Sequence, residues 1–132
     1  MRTYRGYRQY AANLDGEATG STALVWVEVA DQRQQLPMCL EMRNHSPAGF
    51  EWGYQGSGPA QLALALVVDA CGPEYRSAAI YQRFKERVVA RLPRDAWTLT
   101  VEQVRDVVTQ ITSELDSASI PDVFPADDFE VE

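Results

Sequence analysis

The sequence predicts an α+β domain: an N-terminal antiparallel sheet of three to four strands, three helices packed on one face of it, and an acidic C-terminal tail. Three observations predict this class. Residues 21–30 alternate between two sets of side chains, as a half-buried strand does. Residues 60–71 form a nearly unbroken apolar run of helical length. Valine, isoleucine and leucine recur at helical spacing after Thr100. We assign residues 1–116 to one domain and residues 117–132 to a flexible acidic tail.

The first ten residues interleave tyrosine and arginine, at Tyr4, Tyr7, Tyr10, Arg2, Arg5 and Arg8. Two interpretations are open. The segment is a first strand whose tyrosines cover the core edge while the arginines are solvated, or it is a stacking surface for a base or an acidic partner. The polar and glycine-containing residues 11–20 predict a loop.

A pair of antiparallel strands is predicted at residues 21–30 and 36–43, because both segments alternate with a period of two. Ala23, Val25, Val27 and Val29 share one face of the first strand. The polar link DQRQQ between the segments has hairpin length. Pro37 restricts the second strand to an edge or a strand end.

The central unit spans residues 49–72. Phe50, Trp52 and Tyr54 alternate as in a strand with an aromatic face, and glycines then break the extended chain. Pro59 suits a first helical turn. The run AQLALALVVDAC is apolar almost all round, which predicts a buried helix that Gly72 and Pro73 end.

Two further helices are predicted. Residues 74–92 have amphipathic spacing, and the basic side chains of residues 83–94 form either a solvated helix face or a small electropositive patch. Thr100 and Gln103 fit a capping box. Apolar residues at helical spacing then extend the third helix to about Leu115.

Charge and composition limit the function classes. The chain has 132 residues, 45% of them hydrophobic, which suits one domain with a real core. Seven of its 19 acidic residues lie in residues 114–132, which hold no base, so the other 12 balance the 12 basic residues. A neutral body argues against a general nucleic-acid binder. With no predicted membrane span and no apolar signal core, the expected location is cytoplasmic.

The main ligand-binding candidate is the loop before the central helix, because free backbone N–H groups at a helix start attract anions. Its residues are Tyr54, Gly56, Ser57 and Gly58, together with Glu51. The loop lacks the Lys-Ser/Thr of a phosphate-binding Walker loop. The alternative is that the glycines only permit a sharp turn and close packing.

Other chemical candidates are weaker. Glu51 and Asp69 would act as a carboxylate pair if buried, but Glu51 can instead bind an arginine and Asp69 can face solvent. His45 is expected to be a surface loop residue. Cys39 and Cys71 are expected to be buried free thiols. No catalytic motif, metal site or cofactor is predicted. In the tail, Phe124, Phe129, Asp127 and Asp128 are candidate partner-binding residues.

Four stretches carry a specific pattern: GFEWGYQGSGPAQLALALVVDACG, YRGYR near the start, YQRFKERVVARLP after the central helix, and WTLT further on. Over about residues 4–108 this pattern resembles a family of small uncharacterised prokaryotic domains of unknown function, found mainly in bacterial and archaeal genomes, plasmids and other mobile elements. The resemblance implies no activity, substrate or catalytic residue.

From these observations we expect a non-enzymatic binding or regulatory module of a mobile element that acts on a protein partner. The alternative is a domain that binds a small anionic ligand or nucleotide through the Gly-Ser-Gly-Pro loop, with or without enzymatic activity.

Overall fold

The computed structural model describes residues 2–117 as a four-stranded antiparallel sheet with three helices. This confirms the predicted α+β class. The strands are β1 (Arg2–Ala12), β2 (Ala18–Val29), β3 (Gln32–Gln35) and β4 (Ala96–Thr100). The helices are α1 (Ser57–Cys71), α2 (Ala78–Arg87) and α3 (Val101–Ser117).

The strand order is β3-β2-β1-β4, so the long β1–β2 hairpin forms the centre of the sheet. The fourth strand comes from late in the chain, between α2 and α3, in a segment to which the sequence assigned no element. It pairs with β1 from Thr3↔Thr100 to Tyr7↔Ala96. Its Trp97 ring packs over Gly6, where an added Cβ would lie only 2.2 Å from the ring.

The predicted loop at residues 11–20 is too long. The strands continue to Ala12 and resume at Ala18, which leaves a short turn between them. Asn13 organises this turn, because its side-chain oxygen accepts hydrogen bonds from the backbone N–H groups of Asp15 and Glu17. The hairpin therefore projects beyond the four-stranded part of the sheet.

The predicted strand at residues 36–43 is wrong. The chain reverses at Ala30 and Asp31, so the polar link itself forms β3, and its pairing with β2 ends at Trp26↔Gln35. Cys39 adopts a positive φ of 59°, which is not a strand conformation. Most apolar residues of this segment still pack inward: Leu36 and Cys39 lie in the core, and Met38 and Met42 pack against it.

The predicted strand around Phe50, Trp52 and Tyr54 is also wrong, since this segment is irregular. Phe50 and Trp52 are nevertheless buried, whereas Tyr54 is 48% exposed. The Trp52 indole N–H donates to the Arg94 carbonyl at 2.9 Å. Gly53 takes a positive φ of 87°, which bends the chain toward α1 and prevents it from adding to the sheet.

Helix α1 is the buried centre that its composition predicts, because every residue from Gly58 to Val67 is buried. Gln61 is the polar exception within that run. Its amide nitrogen donates to the carbonyls of Met38 and Arg43. Its side-chain oxygen accepts hydrogen bonds from the backbone N–H groups of His45 and Ser46. Gly72, at φ 109°, ends the helix as predicted.

The helix predicted at residues 74–92 is shorter than expected. Two 3-10 turns, Pro73–Tyr75 and Val89–Arg91, flank α2, and Ser77 caps its first turn. The capping box of α3 is confirmed: the Thr100 and Gln103 side chains each accept a hydrogen bond from the other's backbone N–H.

Candidate functional site

The side of the sheet that faces away from the helices carries exposed apolar and charged side chains. We define this outer face by Arg5, Tyr7, Leu24, Trp26, Glu28 and Arg33. The strand register places Tyr7 opposite Leu24 and Arg5 opposite Trp26. Tyr7 is 49% and Leu24 38% exposed. Such a combination of aromatic, aliphatic and arginine side chains is typical of the centre of a protein interface.

The charged residues of the outer face form ion pairs with one another. Glu28 accepts from Arg5 at 2.8 Å and from Arg33 at 3.1 Å. The Arg33 guanidinium also lies over the Trp26 ring, 4.4 Å from its centroid. Hydrogen bonding, chiefly from Arg5, lowers the pKa of Glu28. The carboxylate is therefore ionised at neutral pH, and the Trp26 ring is held in place before any partner binds.

The projecting end of the β1–β2 hairpin is a second exposed element. Leu14, at its tip, is fully exposed, and Tyr10 is 52% exposed. The Tyr10 hydroxyl donates to Asp95 at 2.5 Å, which ties the base of the projection to the chain before β4. This hairpin arm, residues 9–22, adds an exposed surface adjacent to the outer face.

The five predicted ligand-binding residues do lie together at the start of α1. A Cβ on Gly58 would be 2.7 Å from the Glu51 Cβ, and one on Gly56 would be 2.9 Å from the Tyr54 ring. Ser57 begins the helix, and no side chain caps its first turn. Gly58 thus permits close packing of Glu51. Anion binding by this loop stays a prediction.

Glu51 binds an arginine, one of the two outcomes that the sequence left open. Both of its oxygens accept from Arg8, at 2.8 and 3.1 Å. Arg8 is only 2% exposed, lies 4.8 Å from the Trp52 ring centroid, and donates through Nε to the Arg94 carbonyl. The hydrogen bonds to Glu51 raise the pKa of Arg8. The interpretation that the arginines of β1 are solvated is wrong for Arg8.

Asp69 makes a different set of contacts and forms no carboxylate pair with Glu51. It accepts from the Tyr4 hydroxyl at 2.7 Å and from Arg2 at 3.4 Å. Burial, and then the hydrogen bond to Asp69, raise the pKa of Tyr4. Both carboxylates therefore bind residues of β1 whose side chains lie on the helix side of the sheet.

His45 is more enclosed than the sequence predicts. It is half-buried, and its Nε2 lies 2.7 Å from the Tyr81 hydroxyl. The solvated basic helix face is wrong for Lys85, which is 6% exposed, whereas Arg87, Arg91 and Arg94 are exposed. Arg87 also forms a surface ion pair with Glu114.

Cys39 is a buried free thiol as predicted, and Cys71 is half-buried and also free. Burial raises the pKa of both thiols, which keeps them protonated and poorly nucleophilic. Within residues 2–117 no cluster of three or more His, Cys, Asp or Glu could hold a metal ion. None of the helices described is long and apolar enough to span a bilayer. Phe124, Phe129, Asp127 and Asp128 lie outside the described residues.

Two of the outer-face residues, Arg5 and Tyr7, belong to the segment for which a stacking surface was one interpretation of the sequence. The others on β2, Leu24, Trp26 and Glu28, appear in the sequence only as the second set of an alternating strand. Alternation does not tell which of the two faces the helices cover, so these residues were not predicted to form a site.

The chain matches the model of a known protein family. The model of a family of unknown function, DUF6166, matches residues 4–110. No curated protein and no solved structure matches the chain.

Proposed function

The chain belongs to the DUF6166 family of unknown function, and we propose that it is a non-enzymatic binding module that acts through protein–protein contact at the outer face. One observation carries this proposal. Tyr7 and Leu24 are cross-strand neighbours on the same face of the sheet, and both are partly exposed. They lie beside the Trp26 ring, against which the Arg33 guanidinium packs.

The residue types support a protein partner. Tryptophan, tyrosine and arginine contribute most of the binding energy in protein interfaces, particularly where they are ordered before association. Arg5, Glu28 and Arg33 add polar contacts around the apolar residues. Two arginines and one glutamate form a smaller basic excess than a nucleic-acid site needs, which favours a protein partner.

The finer parts of the proposal concern its setting. The resemblance to domains of mobile elements supports a regulatory role on a host protein in the cytoplasm. Phe124 and Phe129, with Asp127 and Asp128, would supply a second contact to the same partner.

The test is an affinity capture from a bacterial lysate with the full chain immobilised. Tyr7→Ala combined with Leu24→Ala should abolish capture of a specific partner, because these side chains supply the exposed apolar contact. Gln110→Ala, an exposed substitution on α3, is the matched control and should leave capture unchanged. Equal capture by both variants would contradict the outer face as the site.

A small anionic ligand at the Gly-Ser-Gly-Pro loop is the second candidate function. The observation in its favour is that no side chain caps the first turn of α1. Thermal-shift measurements with nucleotides, sugar phosphates and sulfate test it, since a ligand at 100 times its dissociation constant adds about 2.7 kcal/mol. Absence of any shift would exclude this function.

A further inference from the structure

One edge of β2 is only partly paired. Along one side, β2 pairs with β1 over its whole length, from Ala18 to Val29. Along the other side, pairing with β3 covers only Trp26 to Val29. Residues 20–25 therefore have a strand neighbour on one side alone.

The backbone groups on the open side can be identified from the ladder. The Arg8 N–H donates to the Asp95 carbonyl, on the β4 side of β1. Since N–H directions alternate along a strand, odd-numbered residues of β1 face β2. Arg8 pairs with Ala23 in the β1–β2 ladder. Because the backbone groups of Arg8 point toward β4, the N–H and C=O groups of its partner Ala23 point away from β1, toward the open edge. Those of Ser21, two residues earlier, point the same way.

An apolar groove runs beside this edge. It encloses about 510 Å³ and is lined by Leu36, Met38 and Phe50 as well as by β2 itself. The groove lies where the chain leaves the sheet after Gln35, so that no third strand within residues 2–117 covers residues 20–25 of β2. Arg33 stands at the rim, and its side chain is 62% exposed.

We propose that an extended peptide segment of a partner protein adds to the sheet as a strand along residues 21–25 of β2. This inference rests on the proposed protein-binding function and specifies how the partner is recognised. The unpaired backbone groups require an extended chain. The groove accepts apolar side chains at every second position of that chain. The exposed guanidinium of Arg33 selects a carboxylate near one end.

The test begins with random peptides displayed on phage and selected against the full chain. Selected peptides should carry apolar residues at alternate positions and an acidic residue toward one end. Binding should slow hydrogen exchange of the Ala23 amide, because that N–H becomes a donor in the new ladder.

Ala23→Pro is the decisive variant. It removes the N–H that faces the open edge but leaves the ladder with β1 intact, since Ala23 does not donate toward Arg8. We expect it to weaken peptide binding at least about tenfold. Gln110→Ala, an exposed substitution on α3, should bind normally. Thermal melts of both variants establish that they are folded, and Met38→Asp provides an independent variant of the groove, with the same expected loss.

Three outcomes would overturn the inference. Peptides that lose binding with Tyr7→Ala but not with Ala23→Pro would place recognition on the outer face and leave the proposed function standing. Self-association that Ala23→Pro abolishes, without peptide binding, would assign the edge to a second copy of the chain. Failure to enrich any peptide would exclude recognition of an isolated strand.

Discussion

Strand β1 carries tyrosine and arginine on both of its faces, and the two faces differ sharply. Tyr4 and Arg8 point toward the helices and are 0% and 2% exposed. Tyr7 on the other face is 49% exposed, and the side chain of Arg5 is 44% exposed. The buried pair is tied to carboxylates from the segment before α1 and from α1 itself. Identical residue types therefore stabilise the fold on one face and are available for binding on the other.

The difference is a consequence of desolvation. A buried guanidinium or hydroxyl must replace its lost water with protein partners, and Arg8 does so with Glu51, the Arg94 carbonyl and the Trp52 ring. Arg5 keeps contact with water, so its ion pair with Glu28 contributes little to stability. Substitutions on the two faces should accordingly separate stability from binding.

The largest expected contrast is between two leucines. Leu66 in α1 is 0% exposed, and Leu66→Ala should lower the free energy of unfolding by about 2–5 kcal/mol through lost burial and a cavity. Leu24→Ala on the outer face should cost no more than about 1 kcal/mol. Urea denaturation of both variants measures this. A loss below about 1 kcal/mol for Leu66→Ala would show that α1 is not the core.

The two arginines provide the second contrast. Arg8→Ala leaves Glu51 without its partner and should destabilise the fold by about 2–3 kcal/mol, toward the low end for a broken buried pair because Glu51 is partly exposed. Arg5→Ala should cost less than about 1 kcal/mol. Tryptophan fluorescence during denaturation follows both. Equal losses would contradict the distinction between the faces.

Substitutions of the glycines at the start of α1 test whether these residues serve close packing or ligand binding. Gly58→Ala forces a Cβ against Glu51 and should cost about 1–3 kcal/mol. Gly56 has an extended φ of 165°, and its neighbour is the movable end of the exposed Tyr54, so Gly56→Ala should cost less than about 1 kcal/mol. If both variants keep their melting temperature but lose a phosphate-bearing ligand, the loop is a binding site.

Tyr4, on the side of β1 that faces the helices, should make the free energy of unfolding depend on pH in alkaline solution. The pKa of Tyr4 is raised above its ordinary 10.0, so from about pH 10 upward the unfolded chain loses this proton while the folded chain keeps it. Stability then falls by up to about 1.4 kcal/mol per pH unit, whereas below pH 10 this contribution is constant. Tyr4→Phe should cost about 1 kcal/mol at neutral pH and reduce the alkaline slope. Melting temperatures between about pH 8 and about pH 11 provide the measurement. An unchanged slope would contradict this assignment.

The smallest effect is expected from removing residues 118–132. We expect this because apolar residues are sparse in this part of the sequence. The truncated chain should melt within about 5 °C of the full chain, equivalent to about 1 kcal/mol. A larger decrease, measured by calorimetry, would show that this segment stabilises the domain.

Several elements were predictable because their signals are local. The buried α1 follows from a run with only Gln61 and Asp69 as polar side chains, and its end follows from Gly72. The capping box of Thr100 and Gln103 depends on residues three positions apart. Such patterns need no knowledge of distant segments.

The errors occur where distant segments decide the outcome. An alternating apolar pattern at residues 36–43 is compatible with a strand, but the segment is irregular, and both Leu36 and Cys39, which a strand would place on opposite faces, lie in the core. Residues 97–100 alternate apolar and polar side chains and contain the strand formers Trp97 and Thr98, but a run of five residues such as 96–100 is too short to identify a strand without its neighbour. Strand β1 has an open edge that this run fills. Pairing depends on which backbone is adjacent, which no single segment encodes.

The α+β class, the central buried helix, the alternation within β2 and a specific family pattern follow from the amino-acid sequence alone, because each of these depends on periodicity or on short-range chemistry. The burial of Arg8, the outer face formed by Tyr7, Leu24 and Trp26, and the open edge of β2 beside a groove depend instead on tertiary packing. Alternation divides side chains between two faces, but which face is desolvated depends on where α1 and its neighbours pack.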